Sequence, residues 1–445
     1  MSKRLILILA LAFVVGITCA AYAEVQNVKV SGDINFLAVA RNQFDLTKGT
    51  DGNKYDDHES FFATQTRVRV DADLTDNVSA TVRLINERNW NTETNTNTDI
   101  DLDLAYVSLK EFLYSPLSLT VGRQEMRFGN ALIIGNAGTY AAGSSDSVLN
   151  GVPSDLSVRK AFDAIRATLN YDPLVVDVFY AKIDENYTRY GSANDDVNLY
   201  GVYATYAVNS KLSVDLYGLY KDDSNNDKNN RVGTIGTLLK YSPITDLNTS
   251  LEGAFQFGNN RGDGNDKRKA FAVQALADYT FSNVKFTPNL GLGYTYLSGD
   301  SGTSTSSRGS DEWDPLYYDQ ALNNITYALI PFSNLSVINV KGSIKPLDDV
   351  TLLANYGYYR RAKGNSNNML SAGYDGDNYY YSGSDGYEMT NKKDLGNAID
   401  LSVIYDYTED VQLGLTLGYF KPGEAFAENN RRDATQVIGT MKVTF

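Results

Sequence analysis

The chain has 445 residues, with 54 acidic and 40 basic side chains, a formal net charge of −14, one cysteine and one histidine. A hydrophobic content of 42% is too high for a disordered chain, and acidity without a Lys/Arg-dense block excludes the basic face of a nucleic-acid binder. Zinc sites built from several cysteines and histidines are excluded as well, so no metal or other cofactor is expected.

Residues 1–23 read as a signal peptide: Lys3 and Arg4 form a charged start, 5–17 an apolar run, and Ala21-Tyr22-Ala23 a cleavage site before Glu24. Removing it leaves 38 basic against 54 acidic residues, a net charge of −16. Cys19 leaves with it, preceded by Thr18 instead of the small residue a lipidation site wants. An exported chain without cysteine must be held by hydrogen bonds and packing rather than disulfides. No later apolar stretch approaches the roughly 18 residues of a membrane-spanning helix.

The remaining chain, 24–445, is expected to form one domain. Its signal is a period of two in segments of about 10 to 14 residues. The first strand is expected over 29–41. In 66–74, Val68, Val70, Ala72 and Leu74 fall on one side and Arg67, Arg69, Asp71 and Asp73 on the other. Similar alternation marks 79–84, 211–220 and 411–419. Charges four deep on one strand face need water there, and an apolar face opposite needs lipid or a second layer.

The connections alternate in length. Short turns are expected at 75–77, 114–116, 171–173, 208–210, 242–246, 282–283, 345–349 and 408–410, and nine longer polar stretches separate them. Eight turns and nine loops join eighteen strands. An even strand number, short turns on one rim, long loops on the other and a signal peptide predict an all-β fold, a transmembrane antiparallel β-barrel of about 18 strands in a Gram-negative-type outer membrane. Eight of the nine prolines fall in turns or loops, whereas Pro288 interrupts a predicted strand. Tyrosines such as Tyr171, Tyr241, Tyr294, Tyr405 and Tyr419 cluster near strand ends, where aromatic girdles meet the membrane interfaces.

The last alternating strand ends on Phe445, similar to the terminal aromatic that assembly machinery reads in Gram-negative porins. Two further stretches carry a family resemblance. Gly122-Arg123-Gln124-Glu125-Met126-Arg127-Phe128-Gly129, followed by Arg159-Lys160-Ala161-Phe162-Asp163-Ala164-Ile165-Arg166, resembles the paired segments of alginate-export-type outer-membrane porins. Gly396-Asn397-Ala398-Ile399-Asp400, leading to Gly418-Tyr419-Phe420-Lys421-Pro422-Gly423, resembles that family too. The resemblance implies an 18-stranded monomeric barrel with a basic pore. Arg123, Gln124, Glu125, Arg127, Arg159, Phe162 and Asp163 then either line a constriction or merely end and begin strands.

Alternation places Arg67, Arg69, Arg83 and Arg166 on the inward face together with Asp71, Asp73 and Glu87, in near balance of charge. They either form a selective constriction or brace the wall as ion pairs. The stretch 127–159 exceeds the roughly 12–15 residues of an ordinary loop and is expected to fold inward and narrow the pore, with an outward-lying loop as the alternative. His58, beside Asp56, Asp57 and Glu59, reads as a solvated loop residue, so no enzyme is expected. The acidic runs 263–266 and 375–378 offer oxygen ligands for calcium without an EF-hand pattern.

The expected function is an outer-membrane channel of alginate-export type that passes a polar, saccharide or anionic solute. A general diffusion porin and a barrel serving as a surface anchor or adhesin are the alternatives. Expected partners are outer-membrane lipid, the assembly machinery acting through Phe445, and a polar solute or oligosaccharide.

Overall fold

The structure, a computed structural model, describes residues 26–47, 58–90, 100–137, 152–184, 196–223, 230–259, 267–299, 311–364 and 387–445. The predicted leader with Cys19, the centre of the 127–159 stretch and both acidic runs lie outside the described residues.

Eighteen strands follow one another. They are β1 (Asn27–Asn42), β2 (His58–Thr75), β3 (Val78–Asn89), β4 (Asp101–Leu109), β5 (Leu117–Glu125) and β6 (Ala161–Asn170). Next come β7 (Leu174–Asp184), β8 (Val197–Asn209), β9 (Leu212–Asp223), β10 (Asn230–Ile244), β11 (Leu247–Asn259) and β12 (Lys267–Thr280). The last six are β13 (Asn289–Leu297), β14 (Leu335–Leu347), β15 (Val350–Arg361), β16 (Asp394–Asp406), β17 (Val411–Pro422) and β18 (Ala434–Thr444). Each pairs antiparallel with its chain neighbours, and β1 pairs with both β2 and β18, which closes the sheet into a barrel. Closure leaves no edge, so the wall's backbone groups are paired within the sheet, as lipid requires. Phe445 joins the seam: its backbone exchanges hydrogen bonds with Gly32 at 2.9 and 3.0 Å.

The period of two becomes two faces. Along β12, Arg268, Ala270, Ala272 and Gln274 are buried toward the interior, while Lys267, Lys269, Phe271 and Val273 are exposed outside. On the outer face Tyr180, Tyr200 and Tyr220 lie in register on β7, β8 and β9, with ring centroids 5.1 and 6.3 Å apart. Tyr206 and Tyr241 are exposed toward the short-turn rim. These rows are the aromatic girdles of a membrane barrel, with aliphatic side chains between them.

All eight short connections fall where the sequence places them, with three local differences. Pro288 lies outside a strand: the turn runs from 281 to 288, and Phe281 N donates to Pro288 O at 2.7 Å. Pro243 and Pro346, expected in turns, sit within β10 and β14 at register shifts between Tyr241 and Ile244 and between Ile344 and Leu347. A bulge tolerates the missing N–H. His58 is the first residue of β2, opposite Asn42, rather than a loop residue.

The interior is not simply polar. A large buried apolar cluster that includes Met126, Phe128, Leu132, Trp313, Ile325 and Phe332 lies against inward wall residues such as Phe179, Tyr203, Val337 and Phe420. Chain segments fill part of the lumen.

Candidate functional site

Among the described residues, three segments that enter the barrel from the long-loop side build the site. The first begins where β5 ends. Gly122 has φ +121°, and a Cβ there would lie 2.2 Å from the Ala105 carbonyl oxygen, so only glycine allows β4 and β5 this approach. Above it the strands part, and the β4–β5 ladder stops at Ala105 and Arg123. The buried Gln124 side chain covers the break. Its Nε2 donates to the carbonyls of Ala164 at 3.1 Å and Gly122 at 3.2 Å. Phe128 then stacks on Phe179 and Tyr203, with centroids 5.3 and 4.7 Å away, and the Arg166 guanidinium lies 5.1 Å from its ring centre.

The second segment, 311–334, is bound to the first by backbone. Tyr317 N donates to Ile133 O at 2.9 Å, Gly135 N to Tyr317 O at 2.7 Å, and Asp319 N to Ala131 O at 2.9 Å. Wall amides and carboxylates hold its other side. Gln256 and the Asp314 backbone exchange two bonds of 2.8 Å, and Gln274 Nε2 donates to Gln320 Oε1 at 2.8 Å. The Asp400 carboxylate accepts from Asn323 Nδ2 at 2.9 Å and from Asn324 N at 2.7 Å, at the start of a short helix, α1 (Asn324–Leu329). Burial raises the Tyr327 phenol above its ordinary pKa, so it stays neutral while its ring meets Tyr318 edge-on at 5.9 Å.

A third segment, 152–160, covers the opposite wall. Its Leu156 packs with Leu37 and Val39 of β1 and Ala63 of β2. Glu87 on β3 is its anchor, accepting from Gln65 Nε2 at 2.8 Å, Ser157 Oγ at 2.8 Å, Val158 N at 2.9 Å and Arg159 Nε at 3.1 Å. Arg159 also reaches Asp101 at 2.5 Å, and Arg41 on β1 pairs with Asp155.

The described parts of 127–159 thus lie inside the barrel, and 311–334 lies beside them. Sequence reasoning did not single out 311–334. The available signal was the apolar density of Trp313, Leu316, Ile325, Leu329 and Phe332 in a connection too long to be a simple loop. Where the inward segments meet the lumen, Arg127 and Lys160 share one carboxylate, Asp319. Among the described residues, this cluster sets two cations against one carboxylate, and the Arg127 side chain is 54% exposed.

The four arginines marked in the sequence do not form one basic cluster. Arg67 pairs with Asp33 at 2.9 Å, Arg69 with Asp71 at 2.7 Å and Arg166 with Asp177 at 2.8 Å. Arg83 binds Asp103 at 2.5 Å and also Glu125, drawing β3, β4 and β5 together where the ladder opens. Arg69 and Arg83 are direct cross-strand neighbours, and their carboxylates offset the like-charge contact. Asp73 lies exposed at the short-turn end of β2 and Glu87 is covered by 152–160. Arg123 and Asp163 pair at 3.2 Å. They share the face of Val107, Val121 and Ile165, whose side chains are exposed outside. Phe162 is fully buried, edge-on to Tyr317 at 5.9 Å.

The alginate export family model matches residues 40–440, nearly the whole barrel. The chain belongs to the alginate-export family of outer-membrane porins. It is therefore a channel protein of the outer membrane. Among solved structures it is similar to Pseudomonas aeruginosa OccK3 (OpdO), with a TM-score of 0.59 and 10% identity over 95% of this chain and 97% of that one. It is also similar to P. aeruginosa OccK2 (OpdF) in complex with glucuronate, with a TM-score of 0.58 and 12% identity over 95% and 99%. Acinetobacter baumannii OccAB1 gives 0.57 and 12% over 96% and 99%. At such identities the likeness is one of fold. No curated protein matches the chain.

In this porin the family-like stretches coincide with the attachments of the inward segments. Gln124, Arg127, Arg159 and Phe162 secure the first and third, and Asp400 secures the second.

Proposed function

We propose that the barrel, as 24–445 after removal of a leader, passes polar solutes of saccharide or anionic character through a lumen narrowed by the inward segments. The observation that carries this reading is the pair Arg127 and Lys160 sharing the single carboxylate of Asp319 at the segments' exposed edge. A net positive edge in a confined, low-dielectric passage favours anions over cations. Arg67, Arg69, Arg83, Arg166, Asp71 and Asp73 line the approach, and Phe445 addresses the chain to the assembly machinery.

Reversal potentials across planar bilayers in a salt gradient test it, together with block of single channels by uronate and neutral oligosaccharides. Anion preference with stronger block by the uronates is expected. Equal block by both sugars and no ion preference would favour the second reading, a general diffusion porin. The pairing of each of the four wall arginines with a carboxylate supports that second reading. A barrel that conducts nothing would remove both.

A further inference from the structure

The outer face of β8–β12 carries two features that the channel does not use. The first is a cationic cluster at the long-loop rim. Arg231 on β10 and Lys267 on β12 lie in one register row, each opposite Asn259 of β11. Two strand spacings, about 9–10 Å, separate them. Lys269 lies one outward position further from the rim, and its neighbours on that strand alternate strictly between buried and exposed. Arg231 has one carboxylate, Asp222, at 3.1 Å, and no carboxylate among the described residues forms an ion pair with Lys267 or Lys269. Among the described residues of this patch, three cations meet one anion. The next row toward the membrane holds Tyr220, Phe257 and Lys269 itself, on the girdle that marks the interface, so the cations stand at the level of lipid headgroups.

The second feature lies directly beneath, on the same strands. An open groove of about 780 Å³ runs between Val202, Ile235, Phe255 and Phe271, with Gly218 and Gly253 on its floor. A Cβ added at either glycine meets nothing within 4 Å. The neighbouring lipid-facing positions toward the short-turn rim carry branched side chains, as at Leu239 and Leu251. Here the wall is recessed at hydrocarbon depth, below a cluster of excess positive charge.

We propose that this face binds a phosphate-bearing, acylated glycolipid of the outer leaflet, its phosphate on Arg231, Lys267 and Lys269 and an acyl chain in the groove. Charge-assisted bonds hold phosphate, and burial of methylene groups holds the chain. A second copy of the barrel docking this face across a two-fold axis would oppose like charges. Only a ligand with anionic head and apolar tail satisfies both features at once.

The full-length barrel in detergent, incubated with diphosphoryl lipid A, its dephosphorylated form or inorganic phosphate, tests this by native mass spectrometry. Wild type is expected to retain diphosphoryl lipid A at least tenfold better than the dephosphorylated form. The triple variant Arg231→Gln, Lys267→Gln, Lys269→Gln is expected to lose that difference, and Gly253→Phe to weaken retention of both lipids. Single-channel conductance should be unchanged in both variants. Equal retention of the two lipids by wild type would overturn the proposal, and this comparison needs no variant to fold. Competition by inorganic phosphate at concentrations that match the lipid would also overturn it, as an anion site without lipid character.

Discussion

Asn323 donates its side-chain amide to the Asp400 carboxylate at 2.9 Å, fixing the second inward segment to an inward position on β16. The same carboxylate accepts the Asn324 backbone N–H, so one wall residue orients the start of α1. Removing it takes the acceptor from one N–H of the buried Asn323 amide, at a cost of about 1–3 kcal/mol, and frees the Asn324 backbone, while the bond from Asn323 to the Asn355 carbonyl remains. Asp400→Ala is therefore expected to loosen the segment without dissolving the barrel. Single-channel records should show larger and noisier conductance, with the strand content by circular dichroism unchanged.

Glu87 plays the corresponding part for 152–160, with four donors converging on it. Breaking a buried ion pair by deleting one partner costs about 3–5 kcal/mol. Glu87→Ala should lower stability in urea titrations of the refolded barrel by about that amount. A double-mutant cycle with Arg159→Ala should recover a coupling energy above about 1 kcal/mol. Additive effects of the two substitutions would contradict the pairing.

The Asp319 carboxylate serves both Arg127 and Lys160. Asp319→Asn removes the anion and leaves two cations at the edge, so anion permeability relative to cations should rise. Arg127→Gln with Lys160→Gln should shift it the other way. The measurement is the reversal potential in a tenfold salt gradient. Identical potentials in all three proteins would place the selective step elsewhere.

Gly396 has φ +116°, and a Cβ on it would stand 2.0 Å from the Lys421 carbonyl oxygen. Gly396→Ala must displace β17 from β16 and adopt a conformation that costs an L residue about 1–3 kcal/mol. The yield of heat-modifiable, folded barrel on gels should fall severalfold. A conservative change at Gly218, where the added methyl meets open space, should leave folding yield unaltered.

Shortening the first inward connection by removing residues 127–159 takes away Phe128, Arg127 and the Glu87-bound segment together. Conductance should increase severalfold, because the wall itself leaves a wider lumen. An unchanged conductance would mean that these residues do not set the narrowest point.

How much of this could be read from residues alone follows from the range of the forces. Strand periodicity is local: in 66–74 each side chain faces water or lipid by its parity, so Arg67 and Val68 report their faces without reference to any partner. Turn chemistry is local as well, and it set the strand number. Local reading fails where the backbone departs from the regular ladder, as at Pro243 and Pro346, since a bulge is decided by the neighbouring strand.

Composition and acidity excluded nucleic-acid binders, and the period of two with alternating short and long connections determined a closed sheet with a wet face and an oily one. Only the tertiary structure decided what occupies the wet face. Arg83 lies 20 residues from Asp103 and 42 from Glu125, and Asn323 lies 77 from Asp400. No period or spacing encodes such pairs, because barrel closure and inward folding bring them together. The same holds for Asp319, whose carboxylate meets cations about 160 and 190 residues away. Charge at the passage is the sum of such contacts, so the sequence fixes which charges exist and the fold fixes which remain uncompensated.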